Sequence, residues 1–185
     1  MALTRREQIV DAAASLFAEH GFHGVGVDDL GAAVGISGPA VYRHFPGKDA
    51  VLSQMLLDVS TRLRDEGQRR VRANADDPRK ALAALVEAHV DFALDNPAVI
   101  TVYDRDLGAV PDPERRRIRR LQREYVEQWV DVVVRIRPEH DQRTARVAVL
   151  AVFGLMNSTP HSARDLSRGD LADLLNRMAV AALVA

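Results

Sequence analysis

The sequence predicts an all-α protein of about nine helices. Apolar residues recur at three- and four-residue steps along almost the whole chain, and the alternating apolar and polar runs typical of strands are absent. Capping residues, glycines and prolines separate these periodic segments in the way that helix ends require. With 47% hydrophobic and 28% charged residues, the 185-residue chain has enough apolar side chains for a packed core.

The N-terminal part is predicted to hold three short helices and the start of a long one. Thr4 and Glu7 have capping-box spacing at the start of the first helix. Gly35 stops the second helix, and Pro39 fits the first turn of the third, where its missing N–H costs nothing. The expected bounds are 4–21, 27–34 and 37–44, with the long helix starting near 48 and ending near 74.

The remaining chain is predicted to form a second helical bundle. We expect Pro111 and Pro113 in a loop, Pro160 at the end of a helix, and Ser167 with Asp170 in capping-box spacing at the start of the last helix. One helix is expected after Pro78 and another over 97–108. A long helix is expected between Pro113 and Pro138, another over 141–158, and the last from Ser167. The predicted domains are residues 1–47 and 48–185.

Composition excludes several classes of site. The absence of cysteine excludes disulfides, thiolate nucleophiles and the common structural zinc sites. No apolar run has the length of a signal peptide or a membrane span, so a cytoplasmic location is expected. Glycine-rich phosphate loops and nucleophile elbows are absent as well, and we expect no catalytic residues, no metal and no cofactor.

Charge alone does not indicate a nucleic-acid-binding protein. The formal net charge is −1, and the first fifty residues contain more acidic than basic side chains. Many DNA-binding domains are plainly basic. The evidence for DNA binding must therefore come from where the few cations lie.

Residues 21–48 have the pattern of a helix-turn-helix. Two short helices are joined by a tight turn that contains Gly35. In such a motif the second helix enters the major groove, its N-terminal residues meet the base edges, and the first helix holds its angle. This pattern predicts binding to double-stranded DNA.

The run Val41-Tyr42-Arg43-His44-Phe45, followed by Lys48, resembles the most specific motif of the tetracycline-repressor (TetR) family. The similarity extends from Thr4 to about Met55, and the rest of the chain resembles the family only in helix number and length. The resemblance implies a sequence-specific transcriptional repressor that a small-molecule ligand releases from its operator. It also implies a homodimer on an inverted repeat. The alternative is an all-helical small-molecule carrier whose helix-turn-helix is non-functional.

The resemblance also implies the DNA-contacting residues. Arg43 would read guanine, because its fork pairs with O6 and N7, and Lys48 would bind a phosphate. Small side chains at the start of the third helix would allow it to approach the groove closely. Gly38 stands where the family often has lysine or arginine, which leaves the operator sequence open. The implied set is Gly26, Val27, Ser37, Gly38, Pro39, Ala40, Tyr42, Arg43, His44 and Lys48.

For the second domain the resemblance implies a ligand pocket and dimerisation through the last two helices. The helix over 141–158 is apolar on too many sides for a surface helix, although it could also be a core helix of a monomer. The expected interface residues are Ala148, Ala151, Leu155, Leu171, Leu175 and Met178. The expected pocket residues, which could equally be plain core side chains, are His89, Phe92, Tyr103, Tyr125, Trp129 and Phe153.

An arginine cluster opens the long helix after Pro113. One hypothesis is an anionic effector such as a fatty acyl-CoA, whose phosphates would pair with these guanidinium groups. The alternative is a solvated helix face, or salt bridges to Asp104, Asp106 and Glu114. The cluster consists of Arg115, Arg116, Arg117, Arg119, Arg120 and Arg123.

Overall fold

The structure, a computed structural model, describes residues 3–162 and 166–185. All regular secondary structure in these ranges is helical. The N-terminal helices are α1 (Arg5–His20), α2 (Val27–Ala33), α3 (Gly38–Val41) and α4 (Lys48–Ala73). They are followed by α5 (Pro78–Asp95), α6 (Pro97–Asp106), α7 (Asp112–Ile136), α8 (Gln142–Met156), α9 (Thr159–Ser162) and α10 (Arg168–Val184). No described helix has the length and apolarity that a membrane crossing requires.

The all-α prediction is confirmed, with two differences at prolines. Pro113 lies in the first turn of α7 rather than in a loop, a position where a missing N–H costs nothing. Pro160 does not end α8, which stops at Met156, but lies inside the single turn α9. Although α3 is only one turn long, its backbone hydrogen bonds continue to His44 and Phe45, so the expected third helical segment is present.

The chain packs as two compact units, each with its own apolar core. One unit comprises residues up to 60 together with 98–119, and the other comprises 61–97 together with 120–185. This division differs from the predicted boundary after residue 47. The reason is that Val102 and Ile118, on α6 and the start of α7, are fully buried in the same core as Phe17 and Leu52.

In the first unit, α2 and α3 meet at a contact that leaves no room for a side chain. A Cβ on Gly31 would lie 2.8 Å from the carbonyl oxygen of Ile36 and 3.0 Å from the carbonyl carbon of Ser37. Gly35, between the helices, has a φ of 71°, in the left-handed region that favours glycine. Together these two glycines allow the short turn that carries α3 against α2.

Replacing Gly31 with alanine should lower the free energy of unfolding by about 1–3 kcal/mol, because the new methyl group would press on backbone atoms that cannot rotate away. The better helix propensity of alanine, worth up to about 1 kcal/mol, would offset only part of this loss. Urea denaturation measures the difference. The control is Gly169→Ala on α10, where the nearest atom to the new Cβ, Ser167 Oγ, is 3.9 Å away and no loss is expected. Equal stability of the two variants would contradict the close contact.

Candidate nucleic-acid interface

Helix α3, the predicted recognition helix, and the turn after it present polar side chains to solvent. Val41 and Phe45 point inward and are almost fully buried. Between them Tyr42, Arg43 and His44 are exposed, with Tyr42 at 58%. Ser37 and Pro39 are exposed at the other end of the helix. The two inward side chains therefore hold the segment while its remaining side chains face outward.

The exposed side chains of this segment are not engaged by the protein. Among residues 3–162 and 166–185, the side chains of Arg43 and Tyr42 have no hydrogen-bond, ion-pair or ring partner. A guanidinium group with five unused donors can pair with the O6 and N7 acceptors of guanine. The predicted base-reading group of Arg43 and the neighbouring Tyr42 side chain are thus available for a partner outside the chain.

Gly38 packs against α2, a contact that the sequence did not indicate. It is buried, and a Cβ on it would lie 1.7 Å from Oδ1 of Asp28. The missing side chain therefore leaves room for Asp28 of α2. Of the other small residues, Pro39 is exposed and Ala40 is half-buried.

Lys48, predicted to bind a phosphate, is engaged inside the protein. Its Nζ donates hydrogen bonds to the carbonyl oxygens of Phe22 and Val25 at 2.9 Å each, and to that of His23 at 3.4 Å. The ammonium also lies 4.7 Å from the centre of the Phe22 ring. These contacts tie the first residue of α4 to the loop that precedes α2.

The remaining N-terminal positions complete the frame of the motif. Gly26 precedes α2, and its N–H donates to Oδ2 of Asp29 at 2.7 Å, while Val27 is half-buried. Arg5 donates to the carbonyl oxygen of Val34 at 2.7 Å, and Arg6 stacks over the Phe45 ring at 4.1 Å. Arg5 therefore connects α1 to the turn after α2, and Arg6 connects it to the segment that follows α3.

In the second unit, five of the six predicted pocket residues come together around His89. The imidazole stacks on Phe153 at 4.7 Å and on Tyr125 at 5.9 Å, and Trp129 meets it edge-on at 5.9 Å. Phe92 lies 6.0 Å from the same ring. Tyr103, the sixth residue, belongs to the core of the other unit and is not part of this cluster.

The aromatic cluster contains a buried chain of neutral polar groups. His89 Nε2 donates to Asn157 Oδ1 at 3.1 Å, and its Nδ1 accepts from the Tyr125 hydroxyl at 3.2 Å. Burial lowers the pKa of His89 to about 4, because the charged imidazolium loses its hydration. Burial likewise raises the pKa of Tyr125. The indole Nε1 of Trp129 is buried and has no hydrogen-bond partner within the described part of the chain.

Comparison with known proteins relates both units to one family. Residues 9–55 match the bacterial regulatory proteins of the tetR family, and residues 75–183 match the tetracyclin repressor-like C-terminal domain. The chain belongs to the TetR family.

Individual relatives of this TetR-family chain are distant. The uncharacterized HTH-type transcriptional regulator YobS of Bacillus subtilis is 30% identical over 112 residues, which are 58% of each chain. The HTH-type transcriptional repressor KstR2 of Rhodococcus jostii is 28% identical over 130 residues, 70% of this chain and 63% of KstR2. The alignments thus span less than two thirds of these relatives.

Solved structures share the fold over nearly the whole chain. A TetR-family regulator from Bordetella parapertussis has a TM-score of 0.84 at 22% identity, covering 96% of this chain and 95% of that one. FadR of Bacillus subtilis, solved in complex with stearoyl-CoA, has a TM-score of 0.74 at 17% identity, with 96% and 99% covered.

The predicted dimer residues of this TetR-family chain fall into two groups. Leu171 and Leu175 are buried in the core of the protomer itself, with 4% and 5% exposed. Met178 is 46% exposed, and Ala148, Ala151 and Leu155 are half-buried or exposed. Two further apolar side chains of α8 are exposed that the sequence analysis did not name, Val147 at 67% and Leu150 at 51%.

The arginine cluster is partly neutralised by two carboxylates, and neither of them is among the partners expected from the sequence. Arg115 and Arg116 both pair with Asp112, and Arg120 lies 3.8 Å from Glu124. Asp106, an expected partner, pairs instead with Arg105 at 3.0 Å. Arg119 and Arg123 are exposed and have no ion-pair partner in the described ranges.

Replacing Lys48 with methionine should lower the free energy of unfolding by about 1–3 kcal/mol in the absence of DNA, since the loop carbonyls lose a charged donor. Urea denaturation measures this loss. The control is Lys80→Met, whose ammonium is exposed and 3.5 Å from Asp77, and which should cost less than about 1 kcal/mol. Unchanged stability of Lys48→Met would leave phosphate binding as the explanation for this lysine.

The stability of the protein should rise with pH because of His89. Its pKa of about 4 in the folded chain is below the ordinary value of 6.5 that histidine has in an unfolded chain. The unfolded chain therefore binds more protons between these values, and the contribution of His89 is complete above pH 6.5 and lost towards pH 4. From pH 7.5 to pH 5 the loss is about 2 kcal/mol. Urea denaturation at both pH values measures the free energy of unfolding, and its loss should be smaller by this amount in His89→Gln than in the wild-type protein. An identical loss in both proteins would show that His89 does not cause the pH dependence.

Proposed function

We propose that the chain is a homodimeric, sequence-specific transcriptional repressor in the cytoplasm, which leaves its operator when a small-molecule effector binds. One observation carries the proposal. Tyr42 and Arg43 are exposed and unengaged on a recognition segment whose inward side is fixed by Val41 and Phe45. Side chains on a mobile segment would lose much of their binding energy to ordering, whereas this segment is ordered before DNA arrives.

The proposal for a dimer is supported by the apolar side chains exposed on α8 and α10. Val147, Leu150 and Met178 are each about half exposed or more in the single protomer. An added Cβ on Gly154 of α8 would have no atom within 4 Å, so a partner helix could approach the α8 backbone closely at this residue. Covering this face removes apolar surface from water. A dimer would also present two recognition helices to half-sites about one DNA turn apart.

The effector is proposed to carry an apolar part and an anionic part, as an acyl-CoA does. The aromatic cluster around His89 supports the apolar part, and the unpartnered indole Nε1 of Trp129 offers a buried donor. The exposed arginines of α7, such as Arg123, support the anionic part. Among proteins of similar fold, FadR of Bacillus subtilis binds stearoyl-CoA, and AibR was solved with isovaleryl coenzyme A and operator DNA.

Replacing Arg43 with alanine should weaken binding to the preferred operator by about 1–3 kcal/mol and relax the base preference at one position of each half-site. The measurement is selection from a random duplex library, followed by titration of the enriched duplex. Arg79→Ala, an equal loss of charge at an exposed site on α5, should keep the base preference. A wild-type protein that enriches no sequence would contradict the repressor proposal and favour the alternative of a helical carrier protein.

A further inference from the structure

Asp28 places a carboxylate at the start of the recognition helix. It is an exposed residue in the first turn of α2. An added Cβ on Gly38, the first residue of α3, would lie 1.7 Å from Asp28 Oδ1 and 2.8 Å from its Cγ. The carboxylate therefore occupies the space that a side chain at position 38 would take. The Asp28 side chain of α2 thus lies at the N-terminal end of α3, beside Gly38.

The two neighbouring acidic residues of α2 are used differently. Asp29 accepts a hydrogen bond from the Gly26 N–H at 2.7 Å, which holds the start of α2. The Asp28 carboxylate has no hydrogen-bond or ion-pair partner in the portion of the chain that is described. The hydrogen bond of Asp29 stabilises the motif. The carboxylate oxygens of Asp28 make no such contact, so stabilisation of the motif does not explain them.

The position of Asp28 matters because the N-terminal end of a recognition helix is the end that meets base edges. A carboxylate there repels phosphates, so it weakens binding to every duplex unless a donor on the DNA compensates. In the major groove the base donors are the amino groups of cytosine N4 and adenine N6, and acidic side chains characteristically accept from cytosine N4. Guanine O6 and thymine O4 are acceptors and would repel the carboxylate.

We propose that Asp28 is a specificity-determining residue, which accepts a hydrogen bond from a cytosine amino group in each operator half-site. The inference rests on the proposed function, since it requires α3 to lie in the major groove. Gly38 is required for this contact, because any side chain at position 38 would displace the Asp28 carboxylate. The contact would favour cytosine and also disfavour guanine and thymine, since these bases would place an acceptor opposite the unpaired carboxylate.

The test is library selection with the wild-type protein, Asp28→Ala and the control Asp11→Ala. Asp11 is an exposed acidic residue on α1, so its replacement removes the same charge. Wild type should enrich an inverted repeat with one cytosine-selective position per half-site. In Asp28→Ala the preference for cytosine at that position should fall about fivefold or more, while affinity for unrelated duplexes stays equal or rises. Asp11→Ala should keep the preference.

A second variant covers the case in which Asp28→Ala does not fold, which its thermal melting reveals. Asp28→Asn preserves the shape of the side chain, and its amide should move the preferred base from cytosine towards adenine, because it can pair with N6 and N7. If wild type enriches an operator and every folded Asp28 variant retains the same base preferences, the inference is overturned and the repressor proposal stands. If wild type enriches nothing, both are overturned.

Discussion

The contact on which the DNA-binding motif depends most is that of the Lys48 ammonium with the carbonyl oxygens of residues 22–25. One charged donor joins the start of α4 to the loop that leads into α2, and so connects the segment after the helix-turn-helix with the segment before it. Within this frame Gly31 and Gly35 allow the short turn that sets α3 on α2. The exposure of Tyr42 and Arg43 is a consequence, since the inward positions of the segment are already filled.

Local signals in the sequence were sufficient for the family and for the longer helices of this fold, but not for the single turn α9. The capping box at Thr4 is present as predicted, with the Thr4 N–H donating to Glu7 Oε2 at 2.7 Å. Distant contacts could not be predicted, because a backbone carbonyl more than twenty residues from Lys48 leaves no pattern in the sequence. The place of Gly38 against Asp28 is a contact of the same kind.

The C-terminal unit shows the same limit for its candidate site. Helical spacing identifies which side chains face inward, but it does not say which helices meet. Tyr103 therefore looked equivalent to Tyr125, although only Tyr125 packs on His89. Leu175 looked available to a partner, yet it is buried in its own protomer. Because His89 is neutral at physiological pH, the aromatic cluster suits the apolar part of a ligand rather than a charged group.

The most direct test of the DNA-binding account is protection of guanine N7 from methylation on the duplex that the wild-type protein enriches. Guanine N7 lies in the major groove, where α3 is proposed to bind. The account predicts two protected patches whose centres are about one helical turn apart. Uniform reactivity of the guanines in the presence of saturating protein would show that α3 does not enter the major groove, and would contradict the account.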